Sequence, residues 1–486
     1  MDATQLTRAV NATLMPGFAG PDLPGWLATE LEQGLGSVCL FSTNIVDAEQ
    51  LRTLTAAIHS ANPHAVIATD EEGGDVTRLH HRDGSPYPSM AYLGHLDDPA
   101  ITEQVGAGIG AQLAAAGIDL NLAPVADVNS NPRNPVIGVR SFGATPDLVA
   151  RQVAPYVRGL QSAGAAACAK HFPGHGDTAT DSHLALPTIT VDRETLTARE
   201  LVPFVAAVEA GSLAIMTSHI LVPAIDPDMP ATLSSRVLSV LRDRLGFTGA
   251  IVSDALDMAG ASAGRGIPEA AVLALAAGVD LLCIGTDNSA VQLAEIRDHV
   301  LAAVHAGRLP AQRVLDAAET VAALAGGVSA LRASAPALSP APPALSTDGF
   351  VITRPISAVV APVAIRLDSA DNIAAGDTVW GIADHLRPVL DEVLPGSTCV
   401  TVDTERGLRQ ALDDAEGRPV LLQGRDLDRV PFLREAVRAA IDRRPDAVVV
   451  ELGWPDPARS PHIDIATLGS GRGAMICLIR LLAQGS

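Results

Sequence analysis

Short apolar segments alternate along this chain with alanine-rich amphipathic stretches. Eight of them have the length and β-branched composition of buried strands: Met15–Phe18, Ser37–Phe41, Val66–Asp70, Ile118–Ala126, Ala165–His171, Leu213–Ile220, Ala250–Asp254 and Asp280–Ile284. Helical patterns fill several intervals, at Ile101–Ala116, Thr145–Ala163, Arg193–Ala210 and Ile267–Ala277. Eight such units predict an α/β fold with a (β/α)8 barrel of the TIM type. A doubly wound open sheet is the alternative, and the lack of a GxGxxG turn after the first strand counts against it.

The chain changes character after the eighth unit. The segment 331–347, LRASAPALSPAPPALST, is rich in Pro, Ala and Ser and has no apolar period, which is typical of a linker. Six strand-like segments follow, at Ile356–Ile365, Thr378–Ile382, Thr398–Val402, Pro419–Leu422, Ala447–Leu452 and Ala474–Ile476. The sequence therefore predicts a barrel at 1–330, a linker at 331–347 and a smaller α/β sandwich domain at 348–486.

The net charge and the cysteines limit which binding partners and which cellular compartment we expect. The formal net charge is −21, from 55 acidic against 34 basic residues, which disfavours nucleic acid and anionic membrane surfaces as partners. No run of eighteen apolar residues predicts a membrane span, and the first residues do not have the pattern of a signal peptide. The five cysteines are scattered without a CxxC pair, which favours a reducing compartment. We therefore expect a soluble cytoplasmic protein.

Polar side chains stand at the ends of five predicted strands. They are Asp70, Asp127, Lys170 with His171, His219 and Asp254. Since barrel enzymes place their active sites at the carboxyl ends of the strands, these residues predict one shared site. Lys170 is also the single lysine of the chain, which suggests that its position needs a compact ammonium rather than a planar guanidinium. The alternative is that this lysine survives by chance in an arginine-rich composition.

The densest polar stretch is KHFPGHGDTATDSHLALP, residues 170–187, which we call the His-rich loop. One interpretation is a solvated polar loop. A second is a zinc site, for which the candidate ligands are His171, His175, Asp177 and His183. A third is a proton-transfer dyad, because Asp181 and His183 are two residues apart and share a face of an extended chain.

Asp254, in the motif IVSDALDM, would work with such a dyad. A fixed carboxylate opposite an imidazole suits displacement at a sugar anomeric carbon, with the carboxylate attacking and the imidazole protonating the leaving oxygen. The alternative is that Asp254 caps the helix that follows, a role that Ser253 could fill equally well.

Four motifs together resemble glycoside hydrolase family 3, in its bacterial β-N-acetylglucosaminidase branch. They are the His-rich loop, DEEGGDVTRL at 70–79, NLAPVADVNSNPRNPVIGVRSFG at 121–143 and IVSDALDM at 251–258. The resemblance implies that Asp254 is the nucleophile and that Asp181 and His183 form the acid/base pair. It also implies a set of sugar-binding residues, namely Asp70, Arg78, Arg140, Lys170 and His171.

The implied activity is that of a retaining exo-β-N-acetylglucosaminidase, without metal or organic cofactor. Its expected substrates are small cell-wall (muropeptide) or chitin-type oligosaccharides that end in N-acetylglucosamine, as in peptidoglycan recycling. A phosphorylase that uses phosphate as acceptor, on β-N-acetylglucosaminides or β-glucosides, is the alternative, because a neutral imidazole does not repel an incoming anion. Less favoured are a zinc hydrolase using the His-rich loop and a catalytically silent sugar-binding protein.

Two positions depart from the family pattern. Asp75 follows Gly73–Gly74 where the family usually has arginine, which predicts a reversed charge near the barrel mouth. Asp257 adds a second carboxylate to the nucleophile motif. In the C-terminal domain, Glu451 at the end of the VVVE strand is the one residue that we single out, with a surface carboxylate as the simpler interpretation.

Overall fold

The computed structural model describes residues 3–178, 186–336, 341–368, 374–455 and 461–485. The chain forms two compact units. The first unit comprises Met1–Glu71, Pro99–Ile137 and Ala144–Ala341, and the second comprises Glu72–Asp98, Gly138–Gly143 and Pro342–Ser486. Two segments from the N-terminal part of the chain, 72–98 and 138–143, thus belong by their contacts to the second unit.

Parallel strands build the first unit. Its described strands are β1 (Leu14–Pro16), β2 (Ser37–Leu40), β3 (Val66–Thr69), β4 (Leu120–Asn121), β5 (Ala166–Phe172), β6 (Ala214–Thr217), β7 (Leu221–Val222), β8 (Asp226–Pro230), β9 (Ala250–Val252) and β10 (Leu282–Gly285). A parallel ladder runs β2-β3-β4-β5-β6-β9, and β10 pairs in parallel with β1. The bridge between Val252 and Leu281 joins β9 to β10, while β1 lies against β2. The eight predicted strands therefore form the predicted barrel, and β7 and β8 make an antiparallel hairpin.

Helices follow the barrel strands. They are α1 (Ala3–Ala12), α2 (Gly25–Glu32), α3 (Ala48–Ala61), α4 (Met90–Leu96), α5 (Pro99–Ala115), α6 (Pro146–Ser162), α7 (Arg193–Thr195), α8 (Val202–Glu209), α9 (Ser235–Ser239), α10 (Ala259–Ser262), α11 (Ile267–Ala277), α12 (Ala290–His305) and α13 (Ala311–Ser334), of which α4 belongs to the second unit. The predicted helix at 267–277 matches α11 in full. The predicted helix at 193–210 is divided by a π-helical turn at Leu196–Glu200.

The barrel core consists of the inward residues of the strands together with one face of α13. Of the described residues, α13 alone is long and apolar enough, by length and composition, to cross a membrane. Its Val321, Leu324 and Val328 lie in the barrel core cluster. Arg313 and Arg332, near its two ends, form ion pairs with acidic residues of the barrel. One face of α13 thus packs into the barrel core, and the helix extends four residues into the segment predicted as linker.

The second unit is a doubly wound α/β layer. Its strands are β11 (Val351–Ile352), β12 (Val363–Leu367), β13 (Thr398–Val402), β14 (Val420–Gly424), β15 (Val448–Glu451) and β16 (Ile465–Ala466), and its further helices are α14 (Arg387–Val393), α15 (Glu405–Asp414), α16 (Pro431–Arg443) and α17 (Arg472–Gln484). The sheet order is β11-β16-β15-β14-β12-β13, with only β11 antiparallel among the described strands. Side chains such as Ile365, Leu422 and Val449 form its core.

Two strand predictions in the second unit are wrong. The run 474–476 lies inside α17, because a short apolar run has no period that separates a strand from a buried helix. The segment 378–382 is an irregular loop whose backbone groups bond outside any ladder. The Val379 N–H donates to the His81 carbonyl, and the Ile382 N–H donates to the side chain of Gln423.

Candidate active site

The ends of β3 and β5 bring Asp70 and Lys170 together. Lys170 Nζ donates to Asp70 Oδ1 over 2.6 Å. The lysine side chain is 2% exposed and the carboxylate 16%, so the ammonium reaches its partner from inside the barrel. Burying an ammonium is costly unless a carboxylate pairs with it, and this pairing explains how a lysine is tolerated there.

Asp127 holds the start of the His-rich loop. Its Oδ2 lies 2.7 Å from His171 Nδ1, while its Oδ1 accepts the backbone N–H groups of His171 and His175 over 3.2 and 2.7 Å. Since an ionised carboxylate only accepts, Nδ1 of His171 carries the proton that it donates. Asp127 is fully buried and orients His171. The sequence placed Asp127 at a strand end without giving it this partner.

His175 is buried and serves as an anchor of the loop. Burial lowers its pKa to about 4, against a smaller opposing effect of the Asp127 carboxylate. Its Nδ1 lies 2.8 Å from Thr178 Oγ1, and its carbonyl accepts from Asn134 Nδ2 over 2.8 Å. A neutral, enclosed imidazole is suited to holding the loop rather than to donating protons at pH 7.

In the described part of the loop, two of the candidate zinc ligands are engaged by other side chains. Asp177 is bound to Arg199 Nη2 at 2.6 Å, and His171 is bound to Asp127. Within 3–178 and the other described ranges, no group of three or more His, Cys, Asp or Glu residues is arranged to hold a metal ion. His183 and Asp181 lie outside the described residues, so their acid/base roles stay predictions.

The buried Glu200 side chain packs against the first part of the His-rich loop. Burial raises its pKa to about 7, although the Arg199 guanidinium acts in the opposite direction. Arg199 bridges Glu200 and Asp177, each over 2.6 Å. A Cβ at Gly174, where φ is +132°, would lie 2.6 Å from Glu200 Oε2. Glycine at this position therefore permits the close approach of the loop to the buried carboxyl.

Asp254 stands immediately after Ser253 at the carboxyl end of β9. It is half-buried, and its Oδ1 accepts the Ala255 N–H over 2.8 Å. The helix-cap interpretation is wrong, because the next helix begins at Ala259 with Met258 at its N-cap. Ser253 is not the cap either, since its Oγ accepts the Cys283 N–H over 2.9 Å.

Asp70, Lys170 and Asp254 all act on the pKa of one thiol, that of Cys168. Burial is the main cause that raises the pKa of Cys168, with Lys170 acting to lower it and both carboxylates acting to raise it. The three charges are therefore close enough to act on one buried atom of β5. The first unit thus brings a paired ammonium and a half-buried carboxylate to one end of the barrel.

The second unit holds the two predicted arginines. Arg140 is bidentate to Glu72, with Nε 2.9 Å from Oε2 and Nη2 2.7 Å from Oε1, and both side chains are buried. Arg78 donates from its two terminal nitrogens to the carbonyls of Ala375 and Ala374 over 3.3 and 3.0 Å. Their contact with a sugar stays a prediction.

The departures from the family pattern have structural roles. Asp75 is buried in the second unit, where its Oδ1 accepts the N–H and the O–H of Ser470 over 2.6 and 2.9 Å and its Oδ2 lies 3.4 Å from Arg425 Nε. The Asp257 carboxylate abuts Gly285, where a Cβ would lie 2.0 Å from Oδ2. Glu451 is buried, not a surface carboxylate. It accepts three backbone N–H groups, while burial raises its pKa to about 8.

Comparison with known proteins decides the family. The model of the glycosyl hydrolase family 3 N-terminal domain matches residues 27–324. The chain belongs to glycosyl hydrolase family 3. This family 3 protein is therefore a glycoside hydrolase, as the motifs predicted.

Named relatives agree with the branch that the motifs resemble. A solved family 3 β-N-acetylglucosaminidase from Paenibacillus sp. str. FPU-7 has a TM-score of 0.86 at 30% identity and covers 99% of this chain and 98% of its own. The β-hexosaminidase of Methylococcus capsulatus is 39% identical over 251 residues, which is 51% of this chain and 75% of that protein. β-Hexosaminidase A of Pseudoalteromonas piscicida is 36% identical over 269 residues. That match spans 51% of this chain but less than half, 45%, of the relative.

Proposed function

We propose that this family 3 enzyme releases terminal N-acetylglucosamine from β-linked cell-wall or chitin-type oligosaccharides by a retaining mechanism. The observation that carries the proposal is the placement of Asp70, Lys170 and Asp254 at the carboxyl ends of β3, β5 and β9, with Lys170 and Asp70 paired over 2.6 Å. The similarity to enzymes named β-hexosaminidase and β-N-acetylglucosaminidase supports the choice of sugar.

Sugar binding would use the paired charges. The Lys170 ammonium has three donors and the Asp70 carboxylate accepts, so together they can bind neighbouring ring hydroxyls. The salt bridge between them fixes both groups before the sugar arrives, which lowers the ordering cost of binding. His171 would donate or accept through the ring nitrogen opposite the one that Asp127 holds.

In the first chemical step, Asp254 would attack the anomeric carbon while His183 protonates the leaving oxygen. The Ala255 N–H holds one oxygen of the Asp254 carboxylate, which orients the nucleophile. Asp181 would stabilise the imidazolium of His183 before the proton is transferred. In the second step, His183 would take a proton from water, and the water would release the sugar from Asp254 with net retention.

The test is the release of nitrophenol from 4-nitrophenyl N-acetyl-β-glucosaminide by wild type, Asp254→Asn and a matched control. Asp243→Asn removes an exposed carboxylate of the first unit and should leave turnover unchanged. Asp254→Asn should lose at least about a thousandfold in kcat, because an amide is not a nucleophile at the anomeric carbon. An Asp254→Asn enzyme with a tenth of wild-type activity would exclude Asp254 as the nucleophile.

The acceptor is determined in the same assay. With and without inorganic phosphate, the sugar product is identified by NMR at early times. Free sugar of retained β-configuration supports hydrolysis, whereas sugar 1-phosphate that appears only with phosphate would replace hydrolysis by phosphorolysis. A chelator in a parallel reaction should have no effect, and loss of activity that zinc restores would instead favour the metal mechanism.

A further inference from the structure

Three hydrogen bonds hold residues 253–256, the turn that carries Asp254. The Cys283 N–H donates to Ser253 Oγ over 2.9 Å, and the Leu256 N–H donates to the Cys283 carbonyl over 2.9 Å. Both bonds fix the turn to β10. Between them, the Ala255 N–H donates to the Asp254 carboxylate over 2.8 Å. The direction of the carboxylate therefore depends on the conformation of Ala255.

His219 holds the other side of Ala255. It follows β6, is fully buried, and its Nε2 lies 2.9 Å from the Ala255 carbonyl oxygen. Because a carbonyl only accepts, Nε2 of His219 carries a proton. Its Nδ1 lies 2.9 Å from Thr232 Oγ1, which in turn lies 2.8 Å from Thr217 Oγ1. The hydroxyls of Thr217 and Thr232 thus orient the imidazole towards Ala255.

We propose that His219 is a positioning residue that sets the attack geometry of Asp254 through the Ala255 backbone. The inference rests on the proposed function, in which Asp254 is the nucleophile. Ala255 joins the two side chains, since its carbonyl accepts from His219 and its N–H donates to Asp254. The peptide that joins Ala255 to Leu256 is held on one side by His219 and on the other by the Cys283 carbonyl. Loss of the His219 bond removes one of these two restraints, and a shift of this peptide moves Ala255 and its N–H relative to the Asp254 carboxylate. In this positioning role His219 acts on the rate of attack and not on sugar affinity.

Two amide variants of His219 distinguish the hydrogen bond made by Nε2 from the one made by Nδ1. The Gln amide nitrogen in His219→Gln can occupy the Nε2 position and donate to Ala255. The shorter amide in His219→Asn reaches Thr232 at the Nδ1 position but not Ala255. Both variants remove the ring from the same buried space. His219→Met fills that space with no donor and is a second variant that loses the bond to Ala255.

The readout is the rate of covalent trapping by an activated fluorinated N-acetylglucosaminyl donor, whose glycosyl-enzyme hydrolyses slowly. We expect the trapping rate constant to fall at least about tenfold in His219→Asn and His219→Met, the effect of one lost hydrogen bond on the barrier. The donor affinity should stay within about threefold of wild type, and His219→Gln should recover most of the trapping rate. Thermal melting shows that each variant is folded.

The outcomes distinguish this proposal from the proposed function. Wild-type label on Asp254, together with equal losses in the Gln and Asn variants, would overturn the role of His219 alone. So would unchanged trapping in the Asn and Met variants, or a loss confined to affinity. Label on another residue, or no label on wild type, would overturn the nucleophile assignment and the role of His219 with it. If the Asn and Met variants do not fold, slow trapping in a folded His219→Gln would still contradict the proposal.

Discussion

At the residue scale, Lys170 and His175 are both buried in the first unit, yet the surroundings of Lys170 favour a charged group and those of His175 a neutral one. The Lys170 ammonium has the Asp70 carboxylate at 2.6 Å, whereas burial lowers the pKa of His175 to about 4. A charge is tolerated in a barrel interior where a partner offsets the loss of water. The first residue therefore suits binding, and the second suits anchoring of the loop.

Replacement of the single lysine tests whether its shape matters. Lys170→Arg keeps the charge but forces a planar guanidinium into a space where the side chain is 2% exposed. We expect KM for the aryl glycoside to rise at least about tenfold, with a smaller change in kcat. Arg52→Lys, an exposed exchange on α3, is the matched control. An unchanged KM in Lys170→Arg would mean that any cation serves at this position.

His175 makes the folded state sensitive to acid. Its folded pKa of about 4 lies below its ordinary value of 6.5, so its stabilising contribution is complete above pH 6.5 and is lost as the pH falls towards 4. From pH 7 to pH 5 this group alone should lower the free energy of unfolding by about 2 kcal/mol.

Denaturant unfolding of wild type and His175→Asn at the two pH values measures the effect. The variant should be less stable at pH 7 but lose less stability on acidification than wild type. His305→Asn, at an exposed position of α12, should follow the wild-type pH dependence. Equal pH dependence in wild type and His175→Asn would contradict the account.

At the element scale, a buried aspartate that bonds to the neighbouring strand recurs just before the amino ends of three strands. Asp119, Asp280 and Asp464 each accept the N–H of a residue in the neighbouring strand, namely Ile67, Ile251 and Val449, over 2.8, 2.9 and 2.8 Å. Each is also paired with one or more arginines. The first two lie in the related sequences AGIDL and AGVDL. In the barrel, these aspartates hold α13 and the strands together at the end opposite the candidate site.

Asp280 pairs with two arginines, Arg242 and Arg313. Asp280→Ala leaves Arg242 and Arg313 without their shared carboxylate and the Ile251 N–H without its acceptor. We expect a loss of about 3 kcal/mol or more in the free energy of unfolding, with KM unchanged for the protein that stays folded. Asp298→Ala, at an exposed position of α12, should cost under about 0.5 kcal/mol by the same denaturant titration. Equal stabilities of the two variants would contradict the role assigned to Asp280.

The local sequence pattern was sufficient to predict the barrel strands, but it did not predict every element of the chain correctly. All eight were predicted because short β-branched runs between helical periods leave few alternatives. The error at 474–476 arose where an apolar run continued into the 3.6-residue period of α17. The positions of Asp70, Lys170 and Asp254 at strand ends were also predictable, while their roles in a site stay predictions. Their supports were not, because the partners lie far apart in sequence, as His219 and Ala255 do.

At the scale of the whole molecule, the two compact units do not follow the order of the chain, because two segments from its N-terminal part belong to the second unit. Arg78 and Arg140 come from the N-terminal part of the sequence, yet their bonds to Ala374, Ala375 and Glu72 lie within the second unit. Sequence position alone assigned them to the barrel domain. Asp75 is explained in the same way, since its carboxylate binds Ser470, two residues before α17 begins. The departure from the family arginine is thus a stabilising contact of the second unit.

The most direct test of the account is the identity of the residue that carries the sugar in the covalent intermediate. Wild-type enzyme is trapped with the fluorinated N-acetylglucosaminyl donor, digested, and mapped by tandem mass spectrometry. The account predicts one sugar per chain, on the peptide that contains Asp254, and no label in Asp254→Asn. Label on a different carboxylate, or turnover of the donor with inversion and no trapped species, would contradict it.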